Sequence, residues 1–397
     1  MMGEARGFDF VITSLQGIDY SSGSNVVNLA YEFSKLHRVL YINFPVDRLT
    51  VLRKRKDPNV RKRIRVLLRK EESLFKVKEN LWTLYPRTIL ESISQISNPG
   101  LFDFFNKINN RRFAREIRRA VSVLGFSNII LFTDSDMYRS FYLKELLKPG
   151  KFIYYSRDNM IAVDYWKKQG VRIEAALIGK ADLAVANSVY LANYCRRFNS
   201  NSYYVGQGCD VTLFNSSLIK DPPPGDIIDI KKPVIGYIGV LFKLRLDIGI
   251  IGFIAKQRPD WSVVLIGPED EAFKNSELHS LPNVYFLGNK PPESLPSYLN
   301  CFDVAINPQL LNEVTIGNYP RKIDEYLSMG KPTVATLTEA MTAFGDHVYL
   351  ATNKEEYLEY ISLAIKENSE EKAQAREKFA REHTWEANAE KIYQAIG

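Results

Sequence analysis

The chain has 397 residues, 45% hydrophobic and 25% charged, with a net charge of +7; that is an ordinary soluble composition, long enough for two domains with cores of their own. No apolar run reaches the roughly 18 residues of a spanning helix, and the opening MMGEARGFDF, with an early Glu and no long apolar core, does not read as a signal peptide. Cys195, Cys209 and Cys301 are widely spaced and form no metal pattern, which fits reduced thiols in a cytoplasmic protein.

In chain order, a strand over 8–14, a loop, a helix over 24–36 and a strand over 38–44 make a β-loop-α-β start typical of a doubly wound domain. A basic block follows. From Arg48 to Arg119 there are 20 Lys/Arg against 7 Asp/Glu, a local excess of +13, which suggests an anionic partner surface. Within it, VRKRIRVLLRK (60–70) places Val60, Ile64, Leu67 and Leu68 on one helical face and basic residues on the rest. LFDFFNKI (101–108) is Phe-rich and followed by Arg111, Arg112, Arg115, Arg118 and Arg119. Residues 53–70 and 101–119 could therefore lie on the inner membrane surface as a peripheral contact; the alternative is an amphipathic helix facing the core with a solvated basic side. Nucleic-acid binding lacks any accompanying motif and is not expected.

Strands over 129–133, 152–156, 183–187 and 202–205 continue the first half, with helices over 171–179 and 189–198. The pattern stops between 215 and 233, where Pro222, Pro223, Pro224 and Gly225 read as a linker. It then restarts with strands over 234–240, 262–266, 284–287, 304–307 and 333–336. Helices over 247–256, 294–300, 321–329 and 355–367 alternate with them. A charged helix over 370–396, interrupted near Thr384, ends the chain. The expected division is 1–215 for the first domain, 216–233 for the linker, 234–375 for the second domain, and 376–397 for a helix crossing back. The fold class is α/β, two doubly wound Rossmann-like domains facing each other across a cleft, where such sheets bind ligands.

The stretch most suggestive of chemistry is GNYPRKIDEYLSMGKPTVAT (317–336). Pro320 suits a first helical turn, Gly330 a helix stop, and Lys331-Pro332 leads into a buried strand. Gly317, Asn318 and Tyr319 precede the helix, and Arg321, Lys322 and Glu325 occupy its first turns. Free backbone N–H groups and cations suit phosphate, and a carboxylate suits hydroxyls. A sugar nucleotide offers both.

This stretch resembles the donor-site motif of GT-B glycosyltransferases. The resemblance implies that Glu325 binds the nucleotide ribose and that the preceding loop, with Lys322, holds the diphosphate. Many retaining members carry another Glu eight residues earlier, where this chain has Gly317. GYIGVLFKLRLD (236–247) is similar to the family's first donor loop, G-R-L-x-x-x-K-G: Gly239 and Leu241 match, Arg245 takes the Lys position, and Val240 and Leu246 depart from it. Arg245, helped by Lys243, would neutralise a diphosphate; otherwise it is a surface cation at a helix start. VYFLGNKPPESLPSYLNCFDVAINP (284–308) resembles the next family segments and puts Gly288 and Asn289 where backbone groups read the base. Asp303 reads as a structural helix-end residue, and Asn307-Pro308 ends a strand at the rim.

The first half is less similar. In GIDYSSGSNVVNLAYEFSKLHRVLYINFP (17–45), Gly23 and Ser24 could approach a phosphate or the acceptor, or form a turn with a Ser cap. In YYSRDN (154–159), Asp158 is the candidate catalytic base, since an acceptor hydroxyl needs a group to take its proton. The arrangement resembles bacterial polysaccharide glycosyltransferases of the xanthan glucuronosyltransferase kind, where such an Asp serves an inverting reaction; a capping Asp is the alternative. No His lies where retaining relatives keep a sugar-contacting one, which tilts the reading toward inversion. GQGCDVTLF (206–214) and TWEANAEKI (384–392) resemble family segments in which Asp210 and Trp385 are structural.

The resemblance implies transfer of a sugar from a nucleoside diphosphate sugar, UDP favoured over GDP, to a lipid-linked or oligosaccharide acceptor, without a metal or other cofactor. A GT-B-shaped protein that binds or scaffolds without catalysis, and a nucleotide-sugar epimerase, are the alternatives.

Overall fold

The computed structural model describes residues 7–19 and 24–397. Chain contacts divide it into two units, one running to Gly206 and including Asn388–Gly397, the other Gln207–Ala387.

The first unit is built on eight strands: β1 (Asp9–Ser14), β2 (Arg38–Ile42), β3 (Leu74–Lys78), β4 (Leu81–Leu84), β5 (Ile129–Asp134), β6 (Lys151–Ser156), β7 (Leu183–Ala186) and β8 (Ser202–Tyr204). Their order is β3-β4-β2-β1-β5-β6-β7-β8. All neighbours are parallel except the β3–β4 hairpin. The strand order reverses between β1 and β5, the position at which such sheets open a crevice at their carboxyl ends. Every residue of β1 is buried, as a parallel strand covered on both faces requires. The hairpin was not expected from sequence. It lies in the basic block, and its outer strand is half-buried at Leu74 and Phe75 and exposed over 76–78, with Asn80 at the turn in the left-handed region (φ 58°). Asn388 Nδ2 donates to the carbonyls of Val205 (2.8 Å) and Gly206 (3.0 Å), and Tyr393 packs on Phe33 and His37.

The second unit has a six-stranded parallel sheet of β9 (Val234–Ile238), β10 (Ser262–Ile266), β11 (Val284–Gly288), β12 (Val304–Asn307), β13 (Thr333–Thr336) and β14 (Tyr349–Ala351). The order is β11-β10-β9-β12-β13-β14, reversing between β9 and β12. Alternate residues of β9 enter separate cores: Val234 and Ile238 on one face, Ile235 and Tyr237 on the other. Gly236 lies opposite Phe302, whose ring a Cβ would meet at 2.1 Å. Residues 207–233, including the proline-rich stretch, fall in this unit. Phe214 and Ile227 are buried in its core, and Tyr298 Oη donates to Asp226 at 2.7 Å. The final helices are Glu370–Arg381 and Trp385–Ile396, with the expected break before Trp385. Trp385 is packed so closely that a Cβ on Gly208 would fall 2.3 Å from its ring.

Candidate functional site

The residues expected at the donor site gather at the carboxyl edge of the second unit's sheet. Gly239 and Gly267, which follow β9 and β10, both have φ +145°, a conformation that favours glycine. A Cβ on Gly267 would lie 2.0 Å from the Gly239 carbonyl oxygen, so the two backbones touch. Gly239 N donates to Ile266 O, and Gly267 N to Gly288 O, each at 2.9 Å. Gly288 (φ +70°) has open space where a Cβ would be, and Asn289 beside it is exposed.

The loop after β9 is pinned to the loop after β12. Asp247 N donates to Pro308 O and Leu310 N to Arg245 O, both at 2.9 Å; Asn312 Nδ2 donates to Leu244 O at 2.8 Å. Asn312 Oδ1 also accepts from Val314 N (2.9 Å) and Thr315 N (3.1 Å). Lys243 and Arg245 thus stand exposed on a loop held by backbone bonds, which lowers the entropy cost of presenting them to an anion.

The helix expected over 321–329 runs Lys322–Ser328. Its end is a Schellman motif: Gly330 N (φ +67°) donates to Leu327 O at 2.9 Å and Lys331 N to Tyr326 O at 3.0 Å. With seven residues and no side-chain N-cap, its dipole is short, so any anion affinity here falls mainly to the cations. Tyr326 Oη accepts from Ile238 N at 2.9 Å and ties the helix to β9. Lys322 Nζ donates to Tyr237 Oη at 2.5 Å and lies over its ring at 4.2 Å. The same nitrogen would be 2.8 Å from a Cβ on Gly239. Glu325, 15% exposed, pairs with Arg321 Nε at 2.9 Å.

Three neighbours turn inward. Gly317 and Asn318 are buried, with Asn318 Oδ1 lacking a hydrogen-bond partner. Tyr319 packs on Phe344, and its hydroxyl donates to Asp324 Oδ1 at 3.1 Å, so its side chain has a packing role. Asp324 was not singled out from sequence. It is fully buried, lies 2.8 Å from His383 Nδ1, and leaves Oδ2 without a partner. Burial pushes its carboxyl above the usual range, opposed by His383 and Tyr319. Asn307, also buried, leaves Nδ2 unpartnered while its carbonyl accepts from Tyr357 Oη at 2.8 Å. Asp303 is structural, accepting from Val234 N at 2.7 Å and pairing with Lys232.

In the first unit, Asp158 follows β6 by two residues and is 34% exposed; Arg157 Nη1 lies 3.4 Å from it. Arg157 Nε also binds buried Asp134 at 2.7 Å, and Ser14 Oγ donates to the other Asp134 oxygen at 2.6 Å. Burial raises the Asp134 carboxyl, with Arg157 opposing. Ser135, next to it, has φ +52°, an uncommon conformation that accumulates at functional edges. Gly23 lies outside the described residues. Ser24 sits at the N-cap of the helix Asn25–Leu36, but its hydroxyl donates to Gln16 Oε1 instead of capping. Asp210 makes a local turn, accepting from Thr212 N and Leu213 N.

The basic segments form the helices Pro58–Leu67 and Pro99–Leu124. In the first, the buried line is Val60, Arg63 and Val66, so the expected apolar stripe is rotated: Leu68 is exposed and Arg63 goes inside. In the second, Leu101 and Phe104 are 49% and 59% exposed, and Lys107, Arg111, Arg115 and Arg118 continue that exposed side. Among the described residues, no helix is long and apolar enough to cross a membrane, and no group of three His, Cys, Asp or Glu side chains could hold a metal.

Residues 232–367, which hold all the residues expected at the donor site, match the family "Glycosyl transferases group 1". The chain carries a glycosyl transferases group 1 domain. The chain is 27% identical over 255 residues to the "Putative teichuronic acid biosynthesis glycosyltransferase TuaH" of Bacillus subtilis (strain 168), covering 61% of this chain and 63% of that protein. Among solved structures, Anabaena HepE in complex with UDP superposes with a TM-score of 0.67 at 14% identity, covering 98% of this chain and 99% of HepE. Sucrose-phosphate synthase from Thermosynechococcus elongatus gives 0.65 at 16%, covering 98% of each chain. The trehalose 6-phosphate synthase of Burkholderia multivorans gives 0.69 at 9%, again covering 98% of each. These likenesses establish the fold, GT-B, around the group 1 domain.

Proposed function

We propose that the protein is a glycosyltransferase that moves a sugar from a nucleoside diphosphate sugar to an acceptor hydroxyl. The observation that carries this reading is the convergence of the Gly239–Gly267 backbone contact, Lys322 and the pinned Lys243–Arg245 loop at one sheet edge of the group 1 domain. Glu325 accepts from the ribose hydroxyls. Lys322, Arg245 and Lys243 neutralise the diphosphate, whose charge grows as the anomeric C–O bond breaks and the electron pair leaves with it. Backbone at Gly288 and Asn289 faces the base, and the Gly317–Tyr319 loop closes the diphosphate side. HepE binds UDP and UDP-glucose, which favours a UDP-sugar here.

Asp158 takes the proton from the acceptor hydroxyl as its oxygen attacks the anomeric carbon, giving inversion. The lysines and arginine do the work of charge neutralisation, so the reaction needs no divalent ion. The TuaH likeness supports a role in polysaccharide biosynthesis, and the acceptor on this reading is a lipid-linked saccharide at the inner membrane face. The exposed Leu101, Phe104 and basic residues of the helix Pro99–Leu124 offer a peripheral contact with that membrane. Incubation with a panel of UDP- and GDP-sugars and a lipid-linked saccharide tests the reading: acceptor-dependent release of nucleoside diphosphate supports it. Release with no acceptor product, or donor turnover that ignores acceptor, contradicts it. Co-sedimentation with anionic liposomes should fall with salt.

A further inference from the structure

The first unit holds a buried cation that the proposed reaction does not use. Arg63 is 6% exposed. Its Nε and Nη1 donate to the carbonyls of Phe44 (3.2 Å) and Asn59 (3.0 Å), and its guanidinium lies 4.3 Å from the Phe44 ring centre. Its remaining nitrogen, Nη2, would be 3.2 Å from a Cβ on Gly17. Among the described residues it forms no ion pair. The carboxylates that act on it are committed elsewhere. Asp57 caps its own helix through Asn59 N and Val60 N. Asp19 Oδ2 accepts from Tyr85 Oη at 2.8 Å and Lys62 Nζ at 3.2 Å.

A second guanidinium stands close by. Arg139 lies 5.0 Å from the same Phe44 ring centre and pairs with Asp136 at 2.9 Å. Burial, and the positive charge of Arg139, push the Arg63 guanidinium below its ordinary value, with Asp19 opposing. The cluster thus holds three cations, Lys62, Arg63 and Arg139. Lys62 and Arg139 have carboxylate partners, and Arg63 has only carbonyls and rings. Asp19 is the nearest counter-charge, its Oδ1 standing like Arg63 Nη2 beside Gly17, but it bonds to Lys62 and not to Arg63; three cations thus face the two paired carboxylates Asp19 and Asp136, and an anion would balance the excess.

The location fits a ligand. Gly17, Phe44, Tyr85 and Asp136 follow β1, β2, β4 and β5, at the carboxyl edge spanning the reversal of strand order. Along the same edge, Asp136 is two residues from Asp134, which holds Arg157 beside Asp158. We propose that Arg63 and Arg139, gathered on Phe44, bind a phosphate or diphosphate group, and that the acceptor carries it. The binding site stands on its own geometry; its assignment to the acceptor rests on the glycosyl-transfer reading. A group held there leaves the attached sugar to extend along the edge toward Asp158.

The test uses the full chain with UDP present throughout, so that the donor site is not open to the probe. Inorganic pyrophosphate should raise the unfolding temperature of the parent and of Asp158→Asn, and its affinity should fall at least about tenfold in Arg63→Gln and in Arg139→Gln. Arg139 is the more exposed of the two and reads the site even if Arg63→Gln does not fold. No shift in the parent, or an undiminished shift in Arg139→Gln, overturns the site. The source is read from KM. Arg139→Gln should raise KM for a diphosphate-linked acceptor about tenfold while leaving KM for the phosphate-free saccharide unchanged. Equal changes on both overturn the acceptor assignment. Loss of pyrophosphate binding with neither KM moved assigns the site to a free anion instead. Failure of UDP to bind would count against the donor reading alone, because the dependence of the pyrophosphate shift on Arg139 is read separately.

Discussion

Lys322 Nζ donates to Tyr237 Oη at 2.5 Å, and would stand 2.8 Å from a Cβ built on Gly239. A residue on the helix Lys322–Ser328 is thereby fixed against the glycine that follows β9, and the cation and the glycine loop form one surface. Gly239→Ala should break that surface in two ways, by forcing a side chain into φ +145° and by displacing Lys322. The expected result is a UDP affinity reduced at least about tenfold, with a lower unfolding temperature. Calorimetry and thermal unfolding of the variant check both; unchanged UDP affinity would separate Gly239 from the donor site.

Asp158→Asn removes a proton acceptor and keeps the shape. Transfer to the acceptor should fall by about 10²- to 10⁴-fold, while UDP affinity stays at the parent value because Asp158 lies in the first unit. A variant that transfers at the parent rate would remove Asp158 as the base.

Glu174 supplies a pH signature independent of catalysis. It is buried, accepts from Tyr154 Oη at 2.6 Å and Tyr194 Oη at 3.2 Å, and burial pushes its carboxyl up to about 7. The folded protein therefore keeps a proton that the unfolded chain has already lost. Its stabilising effect is complete below the ordinary glutamate value, declines as pH rises through about 7, and is gone above that. The decline amounts to about 3 kcal/mol at most. Glu174→Gln should match the parent in unfolding temperature in acid and exceed it at mildly alkaline pH. A parallel offset at every pH would contradict the shift.

On the proposed reading the cations at the donor edge neutralise the diphosphate, so EDTA should leave transfer activity unchanged. Activity lost on chelation and restored by added Mg²⁺ or Mn²⁺ would mean that a divalent ion shares that role.

Much of the fold was readable because β10, β12 and β13 are covered on both faces and so appear as short unbroken apolar runs; their expected and observed bounds coincide. The β3–β4 hairpin and β14 were not read, since a largely exposed outer strand and a three-residue edge strand give little apolar signal. At the site, Glu325 and the Gly239 loop stood out through local spacing. Asp324, adjacent in sequence, did not, because its meaning depends on His383, 59 positions away. Arg63 looked like one more solvated cation of a basic helix. Its burial comes from Phe44 and Tyr85, which belong to other segments of the unit.

The most direct measurement is calorimetric titration of nucleotides into the parent protein and Glu325→Ala. The account predicts saturable binding of UDP to the parent, and at least about tenfold weaker binding to the variant, as expected when a carboxylate loses its hydrogen bonds to a ligand. A parent that binds no nucleoside diphosphate, or a variant that binds UDP as tightly as the parent, would contradict it.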